Sequence, residues 1–120
     1  MPQYLFLLYD DESRWVDATE ADTAAEMGKH QAFATAVEAS DGAQILGGAA
    51  LQNTGTATTL RASDGGPIVS DGPFAETKEA LGGYYLLEAR DLDHALSLAK
   101  LCPMGQGCIE VRPVWEFPQQ

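Results

Sequence analysis

Basic residues are scarce in this chain. Seven Lys and Arg stand against 18 Asp and Glu, giving a formal net charge of −11 over 120 residues. A surface of that sign repels phosphate backbones and anionic lipid, which argues against nucleic-acid and membrane partners. Long apolar runs are missing too, since nothing approaches the ~20 apolar residues of a membrane span. The opening "MPQYLFLLYDDES" lacks the basic start and cleavage site of a secretory signal, so a cytoplasmic location is expected. Cysteine is limited to Cys102 and Cys108, on either side of "PMGQG". That spacing matches no zinc pattern, and the pair reads as two reduced thiols acting as small apolar groups. A P-loop, Rossmann glycines and a GxSxG motif are absent, and Asp10, Asp11 and Glu12 lack the spacing of a calcium loop. Neither a metal nor an organic cofactor is expected.

What is present is an ordinary globular composition. Apolar residues make up 45% and charged residues 21%, too apolar for disorder. The length suits one domain spanning residues 1–120. "YLFLLY" (Tyr4 to Tyr9) is apolar at both parities, as a strand covered on both faces would be. A helix follows "DDES", with Asp17 and Glu20 as a capping box and helix-forming residues to about Ala39. Further extended runs are centred on Ile45-Leu46, on "TATTLRA" and on "IVS", with "GYYLLEA" a fifth, again apolar on both faces. Asp91 caps a second helix that carries Leu92, Ala95, Leu96 and Ala99 at helical spacing. "CIEVRPVWEF" closes the chain, and Pro113 argues for an edge strand or a bulge.

The element order is β-α-β-β-β-α-β, with "DGGP" turning the third run into the fourth and the two counted as one hairpin arm. That is an α+β, ferredoxin-like split βαβ with an antiparallel sheet and two helices on one face. The strands from Tyr4 and Tyr84 need a cover on their second face, and no further helix remains to provide it. A second copy of the chain is the simplest source, so a homodimer is expected.

The stretch "IVSDGPFAETKEALGGYYLLEA" interrupts two strands with an elaborate break. Gly72 precedes Pro73 and is pushed toward extended or mirror-region dihedrals that glycine tolerates at least cost. Phe74 offers an apolar anchor for the loop, and Asp71 can accept hydrogen bonds from the backbone amides beyond it. "AETKEAL" has the composition of one or two helical turns, and Gly82-Gly83 reads as their stop. The loop would present Asp71, Glu76, Lys78 and Glu79 over an adjacent surface.

"DGPFAETKEALGGYYLLEARDLDHALSLA", followed by "GCIEVRPV", resembles the DGPF-domain branch of the YCII-related family. The likeness runs from "YLFLLY" to "EVRPVWEF". It implies a dimeric α+β barrel built on a ferredoxin-like fold. Its functional implications are thinner: some members are encoded near extracytoplasmic-function sigma factors, and the wider family includes a dehydrochlorinase-like enzyme and resembles small-ring isomerases. The same resemblance implies a histidine on the first helix working with an aspartate, and the matching histidine here is His30.

The helix geometry bears on His30 independently. At ~100° per residue, Met27, Ala34, His30, Val37 and Phe33 share one arc, which points His30 at the sheet. A core histidine satisfied by a backbone carbonyl is the plain alternative. Asp71 is the preferred carboxylate for an acid-base pair with His30. Asp41 is the rival, although "SDG" reads more simply as a helix stop. Phe74, Glu76 and Lys78 are candidate ligand contacts at the pocket mouth, against the plainer reading of a solvated charged run. Arg112 reads as an outward cation on an edge strand, and His94, among charged neighbours, as exposed. Two functions follow as expectations. One is a cofactor-independent enzyme that isomerises or eliminates on a small metabolite, in a pocket between sheet and first helix. The other is a non-catalytic module that senses a ligand or docks on a regulatory protein such as a sigma factor.

Overall fold

The computed structural model describes residues 1–118. Its elements run β1 (Gln3–Asp10), α1 (Glu20–Ala39), β2 (Gln44–Ala50), β3 (Thr58–Arg61), β4 (Ile68–Asp71), β5 (Ala80–Glu88), α2 (Leu92–Ala99) and β6 (Cys108–Pro113). Four strands form an antiparallel sheet in the order β2-β5-β1-β6. The two strands that are apolar on both faces, β1 and β5, take its centre, as burial demands. Pro113 ends β6, which lies at an edge, where its missing N–H costs no ladder bond. This is the expected ferredoxin-like α+β arrangement. One detail differs. The third and fourth runs do pair as a hairpin, from Thr58↔Asp71 to Arg61↔Ile68, but it stands apart from the main sheet as a sheet of its own.

Alternation along the central strands decides where the core sits. Tyr4 and Phe6 of β1 share a face with Leu87 of β5, and onto that face pack Phe33 and Val37 of α1 and Ala95 and Leu98 of α2. Phe6, Phe33, Leu87 and Val37 are fully buried, each contributing roughly 1.5–3 kcal/mol. The opposite face carries the cross-strand pairs Leu5↔Leu86 and Leu7↔Tyr84, and all four residues remain partly exposed. No helix among the described residues is long and apolar enough to cross a membrane.

Local signals shift in three places. The α1 capping box is Thr19 with Asp22, not Asp17 with Glu20: Thr19 Oγ1 accepts from the Asp22 N–H at 3.1 Å and Asp22 returns the bond at 3.0 Å. Asp17 falls instead in the turn that follows a 3-10 segment at Glu12–Trp15. "AETKEAL" forms no helix, and Gly82-Gly83 lies inside β5. A Cβ on Gly83 would sit 2.9 Å from the Ala49 carbonyl oxygen. The glycine therefore allows close approach of β2 rather than stopping a helix.

The DGPF turn behaves as its chemistry requires at Gly72, whose φ is +91° and whose N–H donates to the Ala57 carbonyl at 2.7 Å. Phe74 does not anchor the loop, being 76% exposed. The hairpin shares no strand pairing with the main sheet, so within one chain the loop has no core beneath it. The radius of gyration, 16.6 Å, accordingly exceeds the ~13–14 Å of a compact domain of this length.

Candidate functional site

A cavity of about 460 Å³ opens between the N-terminal half of α1 and the end of the sheet where β1 and β2 finish and β5 and β6 begin. That volume suits a small molecule. Leu8, Trp15, Met27, Leu51 and Met104 give it a largely apolar lining. The 3-10 segment after β1 brings Trp15 to the wall, where the Arg14 guanidinium lies 5.1 Å from the ring centre.

His30 is the nitrogen base on this wall. The inner arc of α1 leaves the packed core toward its N-terminal end. Phe33 and Val37 are thus buried, while His30 is half-buried and Met27 exposed. His30 Nδ1 is 2.6 Å from the Tyr85 hydroxyl, and Nε2 is 3.7 Å from Glu26 Oε1, one helical turn away. Tyr85 is itself wedged against Phe33, with ring centres 5.0 Å apart. Burial raises the Tyr85 phenol above its usual value, with the nearby Cys102 adding to the effect. The hydroxyl therefore keeps its proton at neutral pH and can either donate to Nδ1 or accept from it. The His30 ring is held by a neutral partner on one nitrogen and faces a carboxylate with the other.

Most of the cavity's other carboxylates are committed. Asp10 holds Arg14 and the Asp11 N–H. Asp11 caps the 3-10 segment, and its carboxyl is held below 3.8 by the Ser13 hydroxyl and Ser13 N–H. Glu12 reaches across to the Thr54 N–H at 2.6 Å and hydroxyl at 2.7 Å. Among the described residues Glu26 has only the His30 contact and Lys29 Nζ at 4.0 Å.

The other residues singled out in the sequence lie elsewhere. Asp71 is exposed on β4 opposite Thr58, and no hydrogen bond joins it to His30 among the described residues. Within one chain, then, the histidine faces Glu26 and Tyr85 rather than Asp71. Phe74, Glu76 and Lys78 are exposed on the loop after β4 and do not border the cavity. Asp41 belongs to the turn after α1, where its carbonyl accepts from Arg90 at 2.6 Å and Gly42 takes φ +80°, as the helix-stop reading has it. Arg112 is exposed on edge strand β6, paired with Glu110.

His94 overturns its expectation of exposure. It is 6% exposed, with Nδ1 accepting from the Arg90 N–H at 3.0 Å and Nε2 2.8 Å from Ser40 Oγ. Because a backbone N–H occupies Nδ1, the ring proton sits on Nε2 and donates to Ser40. The cysteines are free thiols of two kinds. Cys102 is buried, and burial pushes it up to about 12; Cys108 is exposed, with its thiol 3.4 Å from Glu79. Cys108 is therefore not the small apolar core group expected of it.

Sequence reasoning missed Glu26 and Tyr85. Glu26 stands four residues before His30, a spacing visible in the sequence. Tyr85 shares its parity on β5 with buried Leu87, but only the packing of α1 reveals which histidine nitrogen it meets.

Fold and cavity together define a ferredoxin-like α+β protein with a ligand-sized pocket between one helix and the end of its sheet. The family model of the YCII-related domain matches residues 2–118, and the chain belongs to that family. An uncharacterized protein of Rhizobium meliloti (strain 1021) is similar to it, 49% identical over 69 residues, which are 55% of this chain and 56% of that protein. The chain thus matches little more than half the length of that relative.

Proposed function

We propose that the cavity binds a small metabolite and carries out cofactor-independent proton transfer on it, as in an isomerisation or elimination. The observation that carries this reading is the placement of His30, half-buried on an apolar cavity wall between Tyr85 and Glu26. For His30 to act as base, the Nδ1–H donates to the Tyr85 oxygen and Nε2 is left free toward the cavity. Nε2 takes a proton from the substrate, and the imidazolium so formed faces the Glu26 carboxylate, which stabilises it. Returning that proton to a different substrate atom completes an isomerisation, and loss of a leaving group completes an elimination. Tyr85 stays bonded throughout, because a phenol serves as donor or acceptor.

The test is deuterium incorporation. Small carbon acids, including lactones and ring compounds with a leaving group, are incubated with the protein in D₂O and followed by NMR. Incorporation by the native chain and its loss by roughly 10²-fold or more in His30→Gln is the expected result. No incorporation by the native chain, or equal rates in the variant, refutes the reading.

The reading extends to a homodimer of the DGPF branch, with two sheets packed as an α+β barrel. The half-covered pairs Leu5↔Leu86 and Leu7↔Tyr84 support this, as does a radius of gyration too large for a compact single chain. In such a dimer the hairpin of one copy, with Asp71 and the Phe74–Lys78 loop, has a second molecule to reach. Light scattering at micromolar concentration should return twice the mass of the chain. A second functional reading, a non-catalytic docking module for a regulatory protein, draws on one specific feature. Leu60, Ile68 and Val69 of the hairpin and Phe74 beyond it are all more than half exposed.

A further inference from the structure

None of the chain's seven Lys and Arg side chains borders the cavity. That fact constrains the ligand more tightly than the fold does. An anionic metabolite entering an apolar pocket needs a cation or a cluster of donors to replace its lost hydration. Here the nearest guanidinium, Arg14, is engaged by Asp10. The wall offers the opposite charge. Of its four carboxylates, Asp10, Asp11 and Glu12 each accept hydrogen bonds from the chain, while Glu26 accepts none among the described residues and has His30 Nε2 at 3.7 Å and Lys29 Nζ at 4.0 Å nearby. Its side chain is 23% exposed, so it is partly desolvated and still accessible from the cavity. It lies beside His30, at the place where the proposed proton transfer occurs.

We infer that the ligand class of this cavity is an apolar molecule bearing an ammonium group, with Glu26 as its anchor. This rests on reading the cavity as a small-molecule site. An ammonium donates to Glu26 in a charge-assisted bond, while the carbon skeleton lies against Trp15, Met27 and Leu51. The anchored nitrogen brings its neighbouring carbon atoms to His30. Carboxylates and phosphates of the same size are disfavoured, since they would bring a second negative charge against Glu26 that the solvent-exposed Lys29, 4.0 Å from it, offsets only weakly.

Three probes of matched skeleton test this: 2-phenylethylamine, 2-phenylethanol and 3-phenylpropionate, titrated calorimetrically at neutral pH and low ionic strength. The amine should bind about tenfold or more tightly than the carboxylate, with the alcohol between them. Glu26→Gln should collapse that ratio to within about threefold while leaving the alcohol's affinity in place, whereas Asp11→Asn should keep the ratio. Circular dichroism and the melting temperature establish that each variant is folded. Equal or tighter binding of 3-phenylpropionate overturns the assignment. So does an amine preference that survives Glu26→Gln, and so does failure of all three probes to bind at millimolar concentration. These outcomes are separable from the fate of the catalytic reading. Amine selectivity without deuterium exchange removes the proton-transfer step and leaves the ligand class, and the reverse result does the opposite.

Discussion

The chain's two histidines sit on two helices packed against the same face of one sheet, and they are held in different ways. His94, at the start of α2, has both ring nitrogens occupied by the fold: a backbone N–H from Arg90 on one, the Ser40 hydroxyl on the other. It has become part of the core. His30, in the middle of α1, has one nitrogen fixed by Tyr85 and the other turned toward Glu26 at a distance too long for a hydrogen bond. What separates a structural histidine from a chemically available one is therefore the second nitrogen. Neither helix position nor sequence context distinguishes them, since both residues have charged neighbours in the chain.

The contrast can be broken from either side, and Phe33 sets its scale. One turn from His30, it is the fully buried anchor of α1, and Phe33→Ala should destabilise the chain by about 4 kcal/mol in urea unfolding. His94→Ala should follow at about 3 kcal/mol, because it leaves a cavity and two polar groups without their partner. A loss below about 0.5 kcal/mol would show that His94 is not the clamp between α2 and the Ser40 turn. His30→Gln should move the unfolding midpoint by less than about 1 kcal/mol while removing the exchange activity. Tyr85→Phe keeps the ring packed against Phe33 and should also cost no more than about 1 kcal/mol. It should nevertheless shift the ¹⁵N resonances of His30, whose Nδ1 loses its partner, and leave those of His94 unmoved. Equal shifts in both rings, or none, would remove Tyr85 from its positioning role.

Two smaller effects sharpen the comparison. The cysteines divide as the histidines do, one sealed and one open. At pH 8 a thiol reagent should modify Cys108 in the folded chain, and Cys102, pushed up to about 12 by burial, only after denaturation. The α1 cap gives the least. Asp22 has its carboxyl held below 3.8 by the Thr19 N–H and hydroxyl. A lowered folded value means that its contribution is complete above the ordinary value and is lost as pH falls through the lowered one. Asp22→Asn should therefore lower stability slightly at neutral pH and flatten the acid limb below pH ~3.8, so that the variant and native curves converge at low pH.

Much of the fold was legible because strong local patterns agreed with it. "YLFLLY" and "GYYLLEA" were apolar at both parities and became the two central strands. Asp91 capped α2 as its spacing suggested, and Gly72 took the positive φ that the following proline implied. The errors came where identity alone leaves two partners equivalent. Asp17 reads as the cap from its spacing to Glu20, but it falls in the turn after Trp15, and Thr19 with Asp22 caps the helix instead. His94 was assigned to solvent from its charged neighbours. Yet Leu98 stands four residues later on the same helix face, and that signal favoured burial. Asp71 was chosen for His30 on chemistry, and its place relative to His30 depends on where the hairpin lies, which local sequence does not specify. Tyr85 was beyond local reasoning, since a contact between residues so distant in the chain depends on how α1 lies across β5.

The placement of β1 at the sheet centre has a consequence for how this chain reaches its native state. Phe6 pairs with Tyr85 on one side and Val111 on the other, so the first strand synthesised has both of its partners far along the chain. Nearly all of the loop-closure entropy must be overcome before those contacts form. On the ribosome, "YLFLLY" waits unpaired until β5 emerges and is not flanked on both sides until β6 has followed. Assembly of the sheet is a late event in synthesis, and a nascent chain stalled before β5 exposes its most apolar strand to whatever is nearby.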